Sequence, residues 1–297
     1  MKHISNYSLL IVAVLFLSIQ TKAQEMYPDR TGKTSYYGIE GSYGLGLLGL
    51  SSGYTNDQTY TNGNLSGKSK PYTLGKGPGA GIYCGYMFTK NAGVELGVSG
   101  LFGAGWTSTQ NYYMNGATVP NSETEKASML RFCPAIRFQT GDKKIHLYTR
   151  TGLIIGLPMA FETESVTHDY LGNESRATTS CKGNLSWGFS GSLGMLCELS
   201  SRFSVLGEVT GIIQNWSPAH LTVLKSSHNG VDDLSSLSVS NKETDYVSNP
   251  QPSTDPNQPS QAKKIYIPFN SLNISLGLHV KFGKNFKNDK ARYNLGK

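Results

Sequence analysis

From Leu272 to Phe282 apolar residues alternate strictly with polar or small ones. Leu272, Ile274, Leu276, Leu278, Val280 and Phe282 share one face; Asn273, Ser275, Gly277, His279 and Lys281 share the other. A period of two marks a strand lying between two unlike environments. The pattern recurs upstream and predicts about eight strands. The first, Tyr36 to Leu48, turns Tyr37, Ile39, Tyr43, Leu45 and Leu47 one way and Glu40 with Ser42, Gly44 and Gly46 the other. The second, Ala80 to Phe88, presents Ile82, Cys84, Tyr86 and Phe88. The third presents Val94, Leu96, Val98 and Phe102 against Glu95 and Ser99. In the fourth, Leu130, Phe132, Ile136 and Phe138 oppose Arg131 and Arg137. In the fifth, Ile145, Leu147, Leu153, Ile155 and Leu157 oppose His146, Tyr148 and Arg150. The sixth sets Leu185, Trp187, Phe189 and Leu193 against Ser186, Ser190, Ser192 and Glu198. The seventh sets Phe203, Val205, Val209 and Ile213 against Glu208 and Thr210. Pro134 falls inside the fourth and cannot donate to a ladder, which predicts a bulge or local break.

The connections alternate in length. Polar stretches at 51–77, 107–126, 162–182 and 217–264 are long; those around 89–91, 139–144 and 200–202 are short. An even strand count, segments of ~9–11 residues and long connections at one end only describe an antiparallel up-and-down transmembrane β-barrel with short periplasmic turns and long external loops. Both chain ends then lie on the periplasmic side. A soluble sandwich or lipocalin-like barrel is the alternative, and it would put the apolar face inside. Two features favour the membrane: the apolar face carries large residues almost throughout, and the polar face is rich in Gly and Ser. The polar face also holds Glu40, Glu95, Glu198 and Glu208 with Arg131, Arg137, Arg150 and Lys281, equal numbers of acids and bases that suit a charge-paired lumen. Aromatic belts are expected at Tyr37, Phe88, Phe138, Phe203 and Phe282 on the periplasmic rim, and at Trp106, Trp187 and Phe269 on the outer rim.

The N-terminus reads as an export signal. Lys2 and His3 are followed by the apolar run LLIVAVLFL (9–17), shorter than a spanning helix, and by Thr21-Lys22-Ala23, so cleavage before Gln24 is expected. Residues 24–282 then form the barrel and 283–297 a basic periplasmic tail, with Lys284, Lys287, Lys290, Arg292 and Lys297 against Asp289. Such a tail suits an acidic periplasmic partner or lipid headgroups, or is simply solvated. A hydrophobic content of only 38% does not oppose a membrane, because a barrel shows lipid every second residue. The 34 glycines and 17 tyrosines fit strands and aromatic belts. Cys84, Cys133, Cys181 and Cys197 lack metal-ligand spacing and read as small apolar fillers, with Cys181 at the start of a strand. The net charge of +7 is not organised as a nucleic-acid surface.

The signal ending Lys22-Ala23-Gln24, hairpins such as GYMFTKNAGVEL (85–96) and the alternating last strand resemble the small outer-membrane β-barrel family of Gram-negative bacteria, the eight-stranded type typified by the OmpA transmembrane domain. The resemblance covers nearly all of the mature chain and implies outer-membrane localisation. Barrels of that type usually end at the last-strand aromatic, whereas Phe282 here is followed by a tail.

An eight-stranded barrel is just wide enough for side chains to fill. The expected role is therefore structural or surface-interacting, with no enzyme activity, cofactor or metal, and with contacts to outer-membrane lipid and to extracellular ligands through the loops. A narrow pore, with an ion or proton path along Glu40, Arg150 and Glu208, is one alternative. A membrane-embedded hydrolase is another, with candidates His168 and Asp169, or His220 or His228 with Asp232 and Asp233. His279 reads as a polar lumen filler. The GLGLLG segment (44–49) formally matches a dinucleotide fingerprint but opens no helix, so its glycines are strand residues. Asn-x-Ser sites such as 64–66 have meaning only in a glycosylating host. The stretch NPQPSTDPNQPSQ (249–261) has the composition of a mobile loop, which makes 217–264 a long flexible external loop.

Overall fold

The computed structural model describes residues 34–46, 53–61, 64–103, 105–114, 117–140, 144–200, 202–252 and 255–282. The expected signal peptide and basic tail lie outside them. In chain order the strands are β1 (Thr34–Gly46), β2 (Gly53–Thr61), β3 (Asn64–Tyr72), β4 (Gly77–Met87), β5 (Ala92–Phe102), β6 (Trp106–Met114), β7 (Ala117–Gln139), β8 (Ile145–His168), β9 (Glu174–Gly183), β10 (Ser186–Glu198), β11 (Phe203–Trp216), β12 (Pro218–His228), β13 (Val231–Asp232), β14 (Glu243–Val247), β15 (Ser260–Lys263), β16 (Ile267–Pro268) and β17 (Ser271–Phe282). Among the described residues no helix is long and apolar enough to cross a membrane.

Eight of these strands form the membrane ring. Antiparallel ladders join β1 to β4, β4 to β5, β5 to β7, β7 to β8, β8 to β10, β10 to β11, β11 to β17 and β17 back to β1. The last ladder, from Ser35↔Phe282 to Gly46↔Ser271, returns the ring to its start. No ring strand is left with an unpaired edge, which is what hydrocarbon demands of a backbone it must exclude from water.

The alternation sorts side chains as the sequence implies. Ile39, Ile82, Val94, Ile136, Leu147, Leu193, Val209 and Leu276 face outward and are exposed, whereas Glu95, Arg131, Arg137 and Glu208 are buried inside. The inner turns are held by their own hydroxyls. Thr89 Oγ1 accepts from Ala92 N at 2.9 Å, and Ser200 Oγ accepts from Phe203 N at 3.1 Å. Tyr37, Phe88, Phe138, Phe203 and Phe282 are exposed at this end, and Tyr37 stacks on Phe282 with ring centroids 4.7 Å apart.

The outer rim departs from expectation. Trp187 is exposed, but Phe269 is buried inside the bore and Trp106 packs with Tyr72 against the same buried cluster. Phe269 follows a polar stretch and Trp106 immediately precedes one, so alternation could not set their facing. The stretches expected as loops instead carry strands. Above the membrane, pairing runs β3–β2–β6–β7–β8–β9–β12–β14–β15, with parallel contacts at β2–β6 and β14–β15. β7 and β8 reach 23 and 24 residues because they continue from the ring into this wall. The segment 217–264 holds β12 to β15 and a helical turn, α1 (Val239–Lys242). Cys181 lies near the end of β9 and not at the start of a strand.

Pro134 keeps its pairing with Leu96 on β5, while the β7–β8 ladder skips from Phe132↔Ile155 to Ala135↔Gly152 without a change of register. That is a local break. The register shift lies higher, between Ser128↔Ala160 and Met129↔Pro158, where Met159 is the extra residue.

Three lumen tyrosines explain part of the glycine content. Tyr36 sits opposite Gly85, Tyr83 opposite Gly38, and Tyr148 opposite Gly194. A Cβ at these glycines would lie 2.2 to 2.3 Å from the facing ring, so each ring lies across a bare backbone. Gly38→Ala is therefore expected to displace Tyr83 and cost about 1–3 kcal/mol, as overpacking does. Gly41→Ala, whose Cβ would meet nothing within 4 Å, is the matched control. Urea midpoints of the refolded barrels check the difference.

Candidate functional site: the barrel lumen

The lumen is built in layers. Nearest the periplasm, Glu198 on β10 holds both Lys281 on β17 and His146 on β8, the latter at 3.0 Å; the other ring nitrogen of His146 lies 2.9 Å from the Thr140 carbonyl.

The next layer is set by strand register. Arg137 and Arg150 are direct cross-strand partners, a like-charge opposition that is unfavourable unless bridged. Glu95 bridges it: one carboxylate oxygen lies 3.3 Å from Arg137 Nη1 and the other takes Arg150 Nη1. Arg150 Nη2 also engages Glu208 and, at 3.5 Å, Glu40. Tyr36 donates to Glu95 at 2.9 Å, and Thr210 donates to Glu208 at 2.6 Å. The Arg137 guanidinium is 4.1 Å from the Tyr148 ring centroid and 5.0 Å from that of Tyr36. Its Nε and Nη2 have no hydrogen-bond acceptor among the described residues, and the group meets ring faces instead. His279 lies between Tyr36 and Tyr83, with Nδ1 3.3 Å from the Tyr83 hydroxyl.

Above this layer the Gly- and Ser-rich positions leave a chamber of about 80 Å³, lined by Glu40, Ser99, Cys133, Arg150, Ser190 and Ser275 among others, with Arg131 on its wall. A buried water needs ~10–15 Å³ by this measure, so the chamber has room for a handful. Arg131 is bound by neutral groups, Gln214 Oε1 at 2.9 Å and the Phe269 carbonyl at 3.4 Å. Gln214 is fixed in turn by Ser186 and Asn270, each at 2.8 Å. The outer end of the bore is apolar: Leu74, Leu101, Met129, Phe161, Trp216 and Phe269 pack into one buried cluster.

Of the eight charged residues singled out from the sequence, Glu40, Glu95, Glu208, Arg137 and Arg150 meet in one cluster. Glu198 and Lys281 form a second group, and Arg131 stands apart. Sequence reasoning placed Tyr148 inside but missed Tyr36 and Tyr83, the Gln214–Ser186–Asn270 network and the apolar cluster. Tyr36 was within reach, since it shares alternation with Glu40 on β1; β4, which carries Tyr83, has no charged residue to mark its inner face.

The loop candidates resolve differently from the expected pairs. His220 binds Asp245 at 2.7 Å, and His228 lies 2.9 Å from Ser175 Oγ. Asp232 caps Leu234 N at 2.9 Å, and Asp233 Oδ1 has no hydrogen-bond partner among the described residues. Asp169 turns inward on its own turn, accepting from Leu171 N, Asn173 N and Asn173 Nδ2, while His168 Nδ1 meets the Pro120 carbonyl at 2.7 Å. Among the described residues no group of three or more potential metal ligands gathers, and the four cysteines are unbridged.

Glu125 belongs to the part of β7 above the membrane and accepts from Tyr72. Burial raises its carboxyl above the ordinary range; the Tyr72 hydrogen bond works against this and Glu123 adds to it. The fold thus holds the Glu125 proton more tightly than the unfolded chain. Its contribution is fully present in acid and is lost as pH rises from the ordinary carboxylate range through the raised value. The wall is expected to unfold more readily at about pH 8 than at about pH 5, a difference that Glu125→Gln diminishes. Urea titrations followed by tryptophan emission check this.

The model of the outer membrane protein beta-barrel domain family matches residues 9–232. The crystal structure of the outer membrane protein OprG from Pseudomonas aeruginosa is similar over 86% of this chain and 97% of that chain, at 13% sequence identity and a TM-score of 0.42. No curated protein matches the sequence. With three quarters of its length under the family model and a closed ring of eight lipid-facing strands, the chain belongs to the outer-membrane β-barrel protein family.

Proposed function

We propose that this protein is a structural or surface-interacting barrel whose lumen is plugged, exported through a signal peptide cleaved after Ala23. One observation carries the reading. The bore is crossed by two filled layers, the Glu95–Arg137–Arg150 cluster with its tyrosines and the apolar cluster around Trp216 and Phe269, and Arg137, Trp216 and Phe269 are each only 1% exposed. Side chains packed this closely leave no continuous water path, and their charges serve cohesion. External contacts then fall to the wall of strands above the membrane, and the basic tail at 283–297 faces the periplasm.

A narrow pore is the second reading, favoured by the polar chamber between the layers. A hydrolase has less support, because Asp169 is spent on its own turn. The test is planar-bilayer recording of refolded protein that also shows a heat-modifiable band on unboiled gels. Silence supports the plug. Discrete conductance transfers the case to the pore.

A further inference from the structure

The four ring strands that run inward from the outside, β4, β7, β10 and β17, are entered past lysines. Lys76 immediately precedes β4. Lys126 lies on β7 just above the Ser128–Met129 register shift. Lys182 lies four residues before β10, and Lys263 with Lys264 precede the short β16 that leads into β17. All five are exposed. None forms an ion pair among the described residues. Their height follows from their neighbours. Leu74, Ala127, Cys181 and Ile267 belong to the apolar cluster that fills the outer end of the bore, so each lysine stands within four residues of that level. Lipid-facing Leu185 and Trp187 lie just below Lys182, and exposed Ile265 and Tyr266 follow Lys264.

At ~3.3 Å per residue along a tilted strand, this places the ammonium groups at the polar edge of the ~30 Å hydrocarbon layer. Lysine stems can lie along the apolar rim while the heads reach polar groups. Charge changes sign higher up. The upper wall carries Asp169, Glu174, Asp232, Asp233, Glu243, Asp245 and Asp255 against Arg176, Lys225 and Lys242. The outward acid at collar level is Glu162, opposite Lys126. A basic ring under an acidic rim is therefore fixed by fold position and not by overall charge.

We propose that these five lysines form a collar that binds the phosphate groups of anionic lipid in the outer leaflet. The occupant is a phosphorylated lipid surface, because the membrane is what stands at that height, and its phosphates complement unpaired ammonium groups. Each lysine near such a surface adds attraction that concentrated salt screens. The collar acts from outside the ring and is indifferent to whether the lumen conducts.

The test compares unfolding of the refolded chain in phosphatidylcholine vesicles with and without lipid A. Lipid A is expected to raise the midpoint, concentrated salt to erase the rise, and the variant carrying Lys→Gln at 76, 126, 182, 263 and 264 to lose it. Lys225→Gln with Lys242→Gln, higher on the wall, should keep it. An equal rise in the collar variant, no rise in the unaltered chain, or the same rise from inorganic phosphate alone overturns the proposal. If the collar variant fails to refold, single Lys126→Gln and Lys182→Gln chains decide: partial losses support the collar, undiminished rises overturn it. Conductance of the same samples is read separately, so failure of the plug and failure of the collar are distinguishable.

Discussion

Replacing Glu95 by glutamine is expected to cost about 3–5 kcal/mol and to give a barrel that unfolds at markedly lower urea and temperature. The expectation follows from register. Arg137 and Arg150 are directly opposed on β7 and β8, and the single carboxylate of Glu95 contacts both. Arg150 keeps Glu208 and Glu40 when Glu95 is neutralised, but Arg137 keeps only ring faces. A buried guanidinium without a counter-charge is the costly case; a buried pair removed whole is not. Glu95→Gln with Arg137→Met should therefore be more stable than Glu95→Gln alone. Glu198→Gln, in the half-buried periplasmic group, should cost much less. Heat-modifiability gels and urea titrations of refolded protein report all three. Equal losses for Glu95→Gln and Glu198→Gln would remove the special role assigned to the bridge.

The ring was legible because two independent patterns agree on it. Period-two alternation names the faces, and alternating connection lengths name the ends. Arg131, Arg137, Arg150 and Glu208 could be placed inside from parity alone, since a one-residue slip would put them in lipid. The clustering of five of the eight charges was not legible. Parity gives facing, while height along the bore depends on stagger, which brings Arg137 level with Arg150 and leaves Arg131 near the outer end.

The external wall was hidden for a different reason. Its strands have no uniform apolar face, so β2, β6, β9 and β12 lack the alternation that marks the ring. Turn chemistry was the available signal. Thr61↔Asn64, Met114↔Ala117 and His228↔Val231 each close around two residues, and in the sequence these are Asn62-Gly63, Asn115-Gly116 and Asn229-Gly230. Asn-Gly between pairing segments is the strongest short-range hairpin signal, and at the third site both residues have positive φ, 50° and 77°. Phe269 and Trp106 were misplaced for the same reason: without knowing that strands rise above the rim, nothing showed that an apolar cluster would fill the mouth.

That cluster carries the second large expectation. Trp216→Ala should cost about 3–5 kcal/mol, because the ring is nearly fully buried, packs on Phe161 at 5.5 Å and donates from Nε1 to the Asn184 carbonyl at 2.9 Å. The loss should concentrate at the outer end. Amide exchange is expected to quicken around Gln214, whose side chain accepts from Arg131, and Asn270, whose side chain accepts from the Gln214 N–H, and to change little at Tyr36 or Leu196. Conductance should respond differently from stability. The outer apolar layer and the Arg–Glu–Tyr layer lie in series, so opening one leaves the other closed. Trp216→Ala alone is expected to stay silent in planar bilayers, and current is expected only when Tyr148→Ala is added, since Tyr148 fills the inner layer beneath Arg137. Current from Trp216→Ala alone would make the outer cluster the only barrier and reduce the inner charges to a permeable, hydrated layer.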